Sequence, residues 1–407
     1  MSTLFSTESV NATTMNRIIV VGASLAGLAT ARALRTQGYD GELVVVGEEP
    51  HRPYDRPPLS KDFLTGVSDV GEITLEADGE DLGIEWRLGT RAVGLEQGSL
   101  HLADGTTWSF DGLVIATGAR ARANVLGAHL DGVHQLRTLD DAVALRADLR
   151  RGGRVVVVGG GYIGSEVAST ARAMGCEVTL LASDDAPLRA ALGPFADAIS
   201  ALHRRHGVEV ITHARVSEIH ASGESLTVGL ADGWQLPADT VVLGIGAVPA
   251  IAWLDDTGLE LSDGILCDAT GATSLPGVVA VGDCSAWFDP ALGRHQRVEH
   301  WTSALDRAPI AARTLLGGEA AGAPARRAPY LWSDIHGSRV QMAGHVELAD
   351  TCEVETGSVA EGSFVAVYRR SGQPVAVLGI DQPKHFMSIR RRLASIPALS
   401  SLQGASA

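Results

Sequence analysis

The feature that most limits how this chain can fold is a pattern that occurs twice. Arg17-Ile-Ile-Val-Val-Gly22 and Arg154-Val-Val-Val-Val-Gly159 are short apolar runs that each end in a glycine turn, 137 residues apart. Unbroken β-branched runs of this kind mark strands buried on both faces. After the first run, Leu25, Leu28, Ala29, Ala33 and Leu34 recur at helical spacing up to Gly38, and Leu43-Val-Val-Val-Gly47 reads as the next strand. After the second, a helical pattern from Tyr162 to Met174 is closed by Gly175 and followed by the strand Glu177-Val-Thr-Leu-Leu181. The chain therefore holds two separate βαβ units, each opening on a glycine-rich turn.

At 407 residues the chain exceeds one ordinary core. Leu113-Val-Ile-Ala-Thr-Gly118, Thr240-Val-Val-Leu-Gly-Ile-Gly246 and Val278-Val-Ala-Val-Gly-Asp283 are further strands that end in glycine. Beyond about Pro324 the pattern changes to alternating segments, such as Arg339 to His345 and Ser363 to Tyr368, which predict antiparallel strands. The expected class is α/β: two Rossmann-like dinucleotide-binding domains plus a C-terminal α+β domain. The expected layout is a disordered tail over 1–14, or an artefact of start-site choice, then a first nucleotide domain split over 15–118 and 245–325. A second nucleotide domain occupies 119–244 and the C-terminal domain 326–407.

A formal net charge of −15 argues against a nucleic-acid partner, because neutralising phosphates needs a concentrated basic surface. Cys176, Cys267, Cys284 and Cys352 lie far apart, with neither C-x-x-C nor metal-ligand spacing. Disulfides, zinc and iron–sulfur ligation are not expected, and the pattern suits a reducing cytoplasm. No apolar run is long enough to span a membrane, and the first fourteen residues lack the pattern of a signal peptide. No G-x-S-x-G or H-E-x-x-H occurs, so hydrolase and zinc-protease chemistry have no anchor. His203 and His206, with Arg204 and Arg205 between them, read as a solvated helix face.

Gly22-Ala-Ser-Leu-Ala-Gly27 departs from G-x-G-x-x-G only at Ser24, where the second glycine normally lets backbone approach a pyrophosphate. Glu48 follows 26 residues after Gly22, where a carboxylate accepts hydrogen bonds from an adenosine ribose. Gly159-Gly-Gly-Tyr-Ile-Gly164 carries the full fingerprint, yet Ala182 stands where a ribose-binding carboxylate would favour NADH. Arg189 is a candidate clamp for a 2′-phosphate, whereas Asp184 and Asp185 oppose one. From these residues the coenzyme, NADH or NADPH, stays open.

Pro53-Tyr-Asp-Arg-Pro-Pro-Leu-Ser-Lys61 is on its face a proline-stiffened turn. Taken with Ala116-Thr117-Gly118, Gly161-Tyr-Ile-Gly-Ser-Glu166, Gly282-Asp283-Cys284 and Trp332-Ser-Asp334, it resembles the FAD-dependent ferredoxin reductases that serve monooxygenases and aromatic-ring dioxygenases. The likeness runs over about residues 16 to 395. It implies a fold of glutathione-reductase type, with FAD held by Gly22, Ser24, Ala26, Gly27, Glu48, Ala92, Thr117, Gly118, Arg137, Gly282, Asp283, Trp301 and Trp332. It also implies that Lys61 lies beside the isoalloxazine and pairs with Glu166, the two acting as catalytic residues. The nicotinamide coenzyme would contact Gly159, Gly161, Ile163, Gly164, Glu166, Ala182, Ser183, Arg189 and Gly246, and the family leans to NADH.

The implied partner is a small acidic [2Fe–2S] ferredoxin that feeds a haem-thiolate or Rieske oxygenase. Arg326-Arg327, Arg369-Arg370 and Arg390-Arg391-Arg392 are candidate docking charges, with scattered solubilising arginines as the plain alternative. A disulfide reductase on the same scaffold needs a close cysteine pair, and an oxidase generally uses a cysteine after the first unit; none precedes Cys176. A flavin-binding signalling protein of the apoptosis-inducing-factor type remains the alternative from another class.

Overall fold

Burial explains why the duplicated runs become strands. The computed structural model describes residues 15–122, 127–223, 225–317 and 328–393. Strand β1 (Arg17–Val21) places Ile18, Ile19 and Val20 fully out of solvent. Helix α1 (Leu25–Thr36) returns the chain to β2 (Glu42–Val46). Strands β3 (Ile84–Arg87) and β4 (Gly112–Ile115) extend the sheet on either side, all in parallel.

The second unit repeats this plan. Its elements are β5 (Val133–His134), β6 (Arg154–Val158), α2 (Tyr162–Ala173), β7 (Glu177–Leu181), α3 (Asp197–Arg205), β8 (Glu209–Ile211) and β9 (Thr240–Leu243). Its parallel sheet runs β8-β7-β6-β9-β5. Strand β10 (Val278–Ala280) then pairs with β4 and completes the first sheet in the order β10-β4-β1-β2-β3. The chain leaves the first sheet, builds the second and comes back. A ribbon of Ala119–Ala121 against Ala247–Pro249 marks the two crossings.

Helix α4 (Trp301–Leu315) packs along α1. Strands β11 (Tyr330–Ile335), β12 (Ser338–Gly344), β13 (Thr351–Ser358), β14 (Ser363–Arg370) and β15 (Gln373–Ile380) form an antiparallel sheet in the order β11-β12-β15-β14-β13. Helix α5 (Pro383–Leu393) covers it with Phe386, Ile389 and Leu393. The other face shares one apolar cluster with the second unit, where Leu192, Ile199 and Leu202 meet Ile335, Phe364 and Tyr368. The expected mixed α/β class and antiparallel C-terminal region are both present; the expected tail over 1–14 and the Arg326-Arg327 pair lie outside the described residues.

His203 departs from expectation. It is fully buried rather than on a solvated face. Ile199, Leu202 and His203 share one side of α3, and that side packs on the C-terminal sheet.

Candidate functional site

Both fingerprint turns are held by steric necessity. Gly22 has φ +125°, and a Cβ there would fall 2.1 Å from the carbonyl oxygen of Ala116. Gly159 has φ +111°, and its Cβ would fall 2.3 Å from the oxygen of Gly244. Gly27 and Gly164 are packed in the same way, 1.9 Å from the oxygens of Gly22 and Gly159. Each turn is thereby pressed onto a neighbouring strand end, which leaves the first backbone N–H groups of α1 and α2 free to hold an anion. Gly161, at the start of α2, and Gly246 each have open space where a Cβ would stand. Ile163 beside them is exposed despite being apolar. Such an open, glycine-floored cradle fits the pyrophosphate of a dinucleotide.

Around the first turn, Ser24 is the N-cap of α1 and makes no capping bond of its own. Its hydroxyl instead faces Arg56, whose Nε lies 3.4 Å away. Arg56 is further held by Glu49 at 2.6 Å and by the carbonyl of Arg137. Glu48 is paired with Arg120 at 2.5 Å, both half-exposed. Gly282 packs on Ala26, whose Cβ would lie 2.9 Å from a Cβ at 282. Arg137 bridges Asp283 at 2.7 Å and the carbonyl of Ala119 at 2.9 Å. Thr117 donates to the carbonyl of Ala250, and Gly118 turns at φ +69° next to Arg137. Ala92 is buried within the first core.

The residues that converge most closely come from three parts of the chain. Lys61 Nζ lies 2.7 Å from Glu166 Oε2, with the two side chains 19% and 5% exposed. The same carboxylate accepts from Ser60 at 2.5 Å and from Ser333 at 2.6 Å. Lys61 also donates to the carbonyl of Pro57 at 3.0 Å. A buried carboxylate satisfied by one cation and two hydroxyls is stable where an unpaired one would not be. Tyr162, one turn earlier on α2, has a buried hydroxyl with no partner, and burial raises its pKa.

Aromatic rings close the site. Trp301 starts α4 and donates from Nε1 to Asp55 at 2.8 Å. Burial raises the pKa of Asp55, opposed by that indole N–H and by Lys61. Trp301 meets Trp332 edge-on at 5.8 Å, Trp332 stacks on Tyr330 at 5.8 Å, and Arg390 lies 3.9 Å over the Tyr330 ring. The series leads from Lys61 to α5, whose Lys384, Arg390, Arg391 and Arg392 face no acidic residue on their own helix. Arg369, by contrast, is spent on Glu353 and Glu355.

At the second turn, Ala182 is buried and its backbone bonds Ile211 and Ala214. Ser183, Asp184 and Asp185 are exposed beside it. Arg189, the candidate phosphate clamp, is engaged in this structure by Asp185 at 2.5 Å, Asp197 at 2.9 Å and the carbonyl of Gly193. Sequence reasoning missed Arg56, Asp55 and Ser333 as site residues. Their strings were noticed, but their partners are distant in sequence and only the fold brings them together.

Two βαβ units with glycine turns, joined by a lysine–glutamate pair with Trp301 and Trp332 in mutual contact, are the frame of a pyridine-nucleotide oxidoreductase of the two-domain flavoprotein class. Residues 16–308 match the pyridine nucleotide-disulphide oxidoreductase family and residues 330–402 match the reductase C-terminal family, and the chain belongs to the former. That membership implies FAD and a nicotinamide coenzyme. The chain is 37% identical to the ferredoxin–NAD(+) reductase subunit of the benzene 1,2-dioxygenase system of Pseudomonas putida, covering 92% of each chain. It is 35% identical to rhodocoxin reductase of Rhodococcus erythropolis, covering 95% of this chain and 92% of that one. Its structure superposes on putidaredoxin reductase, solved in covalent complex with putidaredoxin, with a TM-score of 0.88, 31% identity and 93% of each chain covered.

Proposed function

We propose that this protein is an FAD-dependent reductase that passes electrons from NADH to a small acidic [2Fe–2S] ferredoxin, which in turn serves a haem-thiolate or Rieske oxygenase. The observation that carries the reading is the Lys61–Glu166 pair at 2.7 Å, one partner from each nucleotide unit. In this reading residues 15–118 and 245–325 bind FAD, 119–244 bind the coenzyme and 326–407 carry the docking helix.

FAD, when bound, accepts a hydride as an electron pair and gives the electrons up singly. The chain's residues supply the rest. The turns at Gly22 and Gly159 hold the two pyrophosphates, and Glu48 exchanges Arg120 for a ribose. Arg137 and Asp283 orient the ribityl side, and Lys61 places a positive charge where negative charge develops. Glu166 fixes the lysine head in the cradle, and Trp301 and Trp332 exclude water.

NADH is favoured over NADPH because Asp184 and Asp185 stand beside Ala182 while Arg189 is neutralised by its own carboxylates. Ferredoxin docking is supported by α5, a basic helix on a chain of net charge −15, joined to the site through Tyr330 and Trp332. We place the protein in the cytoplasm, away from membranes; among the described residues no helix is long and apolar enough to cross one.

Anaerobic stopped-flow mixing with NADH and NADPH, followed at the flavin absorbance, tests the reading. Fast bleaching by NADH, then reoxidation by an acidic [2Fe–2S] protein, is expected. A bound flavin that neither coenzyme bleaches would refute the reductase reading and favour a signalling role, and reoxidation by oxygen alone would favour an oxidase.

A further inference from the structure

His300 is the N-cap of α4 (φ −116°, ψ 135°), yet its side chain makes no capping bond. Its Nδ1 is buried and has no partner. A buried imidazole nitrogen without a partner is costly unless something makes use of it. The next residue, Trp301, is fixed to Asp55 by its indole, so the backbone at His300 cannot drift.

The charges that face His300 come from three directions. Asp283, in the loop after β10, favours its cation, while Arg307 on α4 and His345 after β12 oppose it. Burial is the largest influence, and together these push its pKa down to about 4. Arg307 is itself desolvated and lies 5.0 Å over the Trp287 ring. His345 has its own anions, with Asp289 at 3.6 Å and Glu347 at 3.5 Å. Glu299, the preceding residue, is paired with Arg297. The positive end of α4 also favours the neutral ring. His300 is thus held neutral by a balance in which Asp283 is the opposing anion, and one more negative charge nearby would tip it.

We propose that His300 is a redox-linked proton site, neutral while the centre is oxidised and protonated once hydride delivery places negative charge between Asp283 and the first turn of α4. The inference rests on the reading that FAD occupies this site. The balance is simple. The coenzyme gives up a hydride, which is two electrons and one proton, and leaves oxidised. A second proton moves from solvent to His300. As the two electrons depart singly to two carrier molecules, the hydride's proton and the His300 proton both return to solvent. His300 is a positioning residue for charge, acting through the field at the site and not by contact with the reacting atom.

The test is the midpoint potential of the bound flavin as a function of pH, in the wild type and in His300→Gln. One extra proton per electron pair changes the equilibrium tenfold per pH unit, which is about 30 mV. The wild type should therefore fall by about 60 mV per pH unit above the oxidised-state value near 4, breaking to about 30 mV at the reduced-state pKa, while His300→Gln should fall by about 30 mV throughout. As an independent measure, ¹⁵N-histidine spectra of the wild type at pH 6 should show one imidazole turning cationic on reduction with dithionite. This measure decides the matter if His300→Gln fails to fold. Equal slopes in both proteins, or no imidazole changing state, would overturn the inference while leaving the FAD reading intact. A wild-type protein that binds no FAD would overturn the reading and the inference together.

Discussion

Lys61→Met gives the sharpest test of how the site is held. In the wild type, Glu166 is 5% exposed at its side chain and is held by one cation at 2.7 Å and by two hydroxyls at 2.5 and 2.6 Å. Removing the lysine charge leaves an almost buried carboxylate with hydroxyl donors only. Breaking a buried pair from one side costs about 3–5 kcal/mol. The lower end applies here, because Lys61 is itself 19% exposed and its loss removes a partly screened charge. Glu166→Gln in the same protein removes the stranded charge but keeps an oxygen for Ser60 or Ser333. The double variant should therefore lose only about 1 kcal/mol, since replacing both members of a buried pair is far milder than removing one.

These values convert into melting temperatures. Unfolding entropy near 60 °C is about 2.1 cal/mol/K per residue, or roughly 0.9 kcal/mol per degree over this chain. Lys61→Met should melt about 3–4 °C lower, and adding Glu166→Gln should recover most of that loss. The assay is calorimetry of the four flavin-loaded proteins of the cycle at one pH, with near-ultraviolet circular dichroism as a check on the fold. Losses that simply add, with the double variant melting lowest, would refute the claim that these side chains neutralise one another.

Three more outcomes are expected. Ala182→Glu should lower the rate with NADPH relative to NADH by about fivefold or more, because two unit charges about 4 Å apart repel by between about 1 kcal/mol in water and 4 kcal/mol near a protein surface; an unchanged ratio in stopped-flow reduction would remove Ala182 from the ribose site. Arg391→Glu with Arg392→Glu should leave flavin reduction by NADH unchanged and raise the KM for an acidic carrier about tenfold at low salt, a difference that should vanish at high ionic strength; equal KM values at low salt would move the docking face off α5. Acid should destabilise the protein below about pH 6.5, because burial lowers His203 to about 3 and His336 to about 4. The unfolded chain then binds protons that the folded one does not, so stability is full above 6.5 and is lost as pH falls, by about 1.4 kcal/mol per pH unit for each histidine. His203→Gln should flatten this acid limb in denaturant titrations, and superimposable limbs would contradict the cause given.

Sequence legibility followed the range of the forces involved. The turns at Gly22 and Gly159 are local steric devices, so their glycines and the strands before them announce the units directly. The pairing of Lys61 with Glu166 was legible only through resemblance, since 105 residues separate them and neither spacing nor composition links the two. Ser333 was quoted within its string but not as a ligand of Glu166, because a serine in a strand carries no sign of what lies opposite. Arg189 was legible as a candidate from its place after the second unit's strand, but its pairs with Asp185 and Asp197 were not. His203 was misjudged on its neighbours Arg204 and Arg205, although Ile199 and Leu202, at four and one residues before it, already marked the buried face.

The placement of Glu166 suggests why the C-terminal domain belongs to the site at all. Lys61 follows the first unit's second strand, Glu166 sits on the helix that opens the second unit, and Ser333 lies on β11 of the third region. Thr170 on the same helix accepts no charge but donates to the carbonyl of Ser60, and Ser169 receives the backbone N–H of His336. One face of α2 is therefore stitched to the proline-rich loop on one side and to β11 on the other. The strand thus anchored is the one that carries Tyr330 and Trp332. A shift of α2 on coenzyme binding would pull on the rings between the site and the basic helix α5, because Glu166 accepts from Ser333 on β11 and Ser169 from His336 just after it.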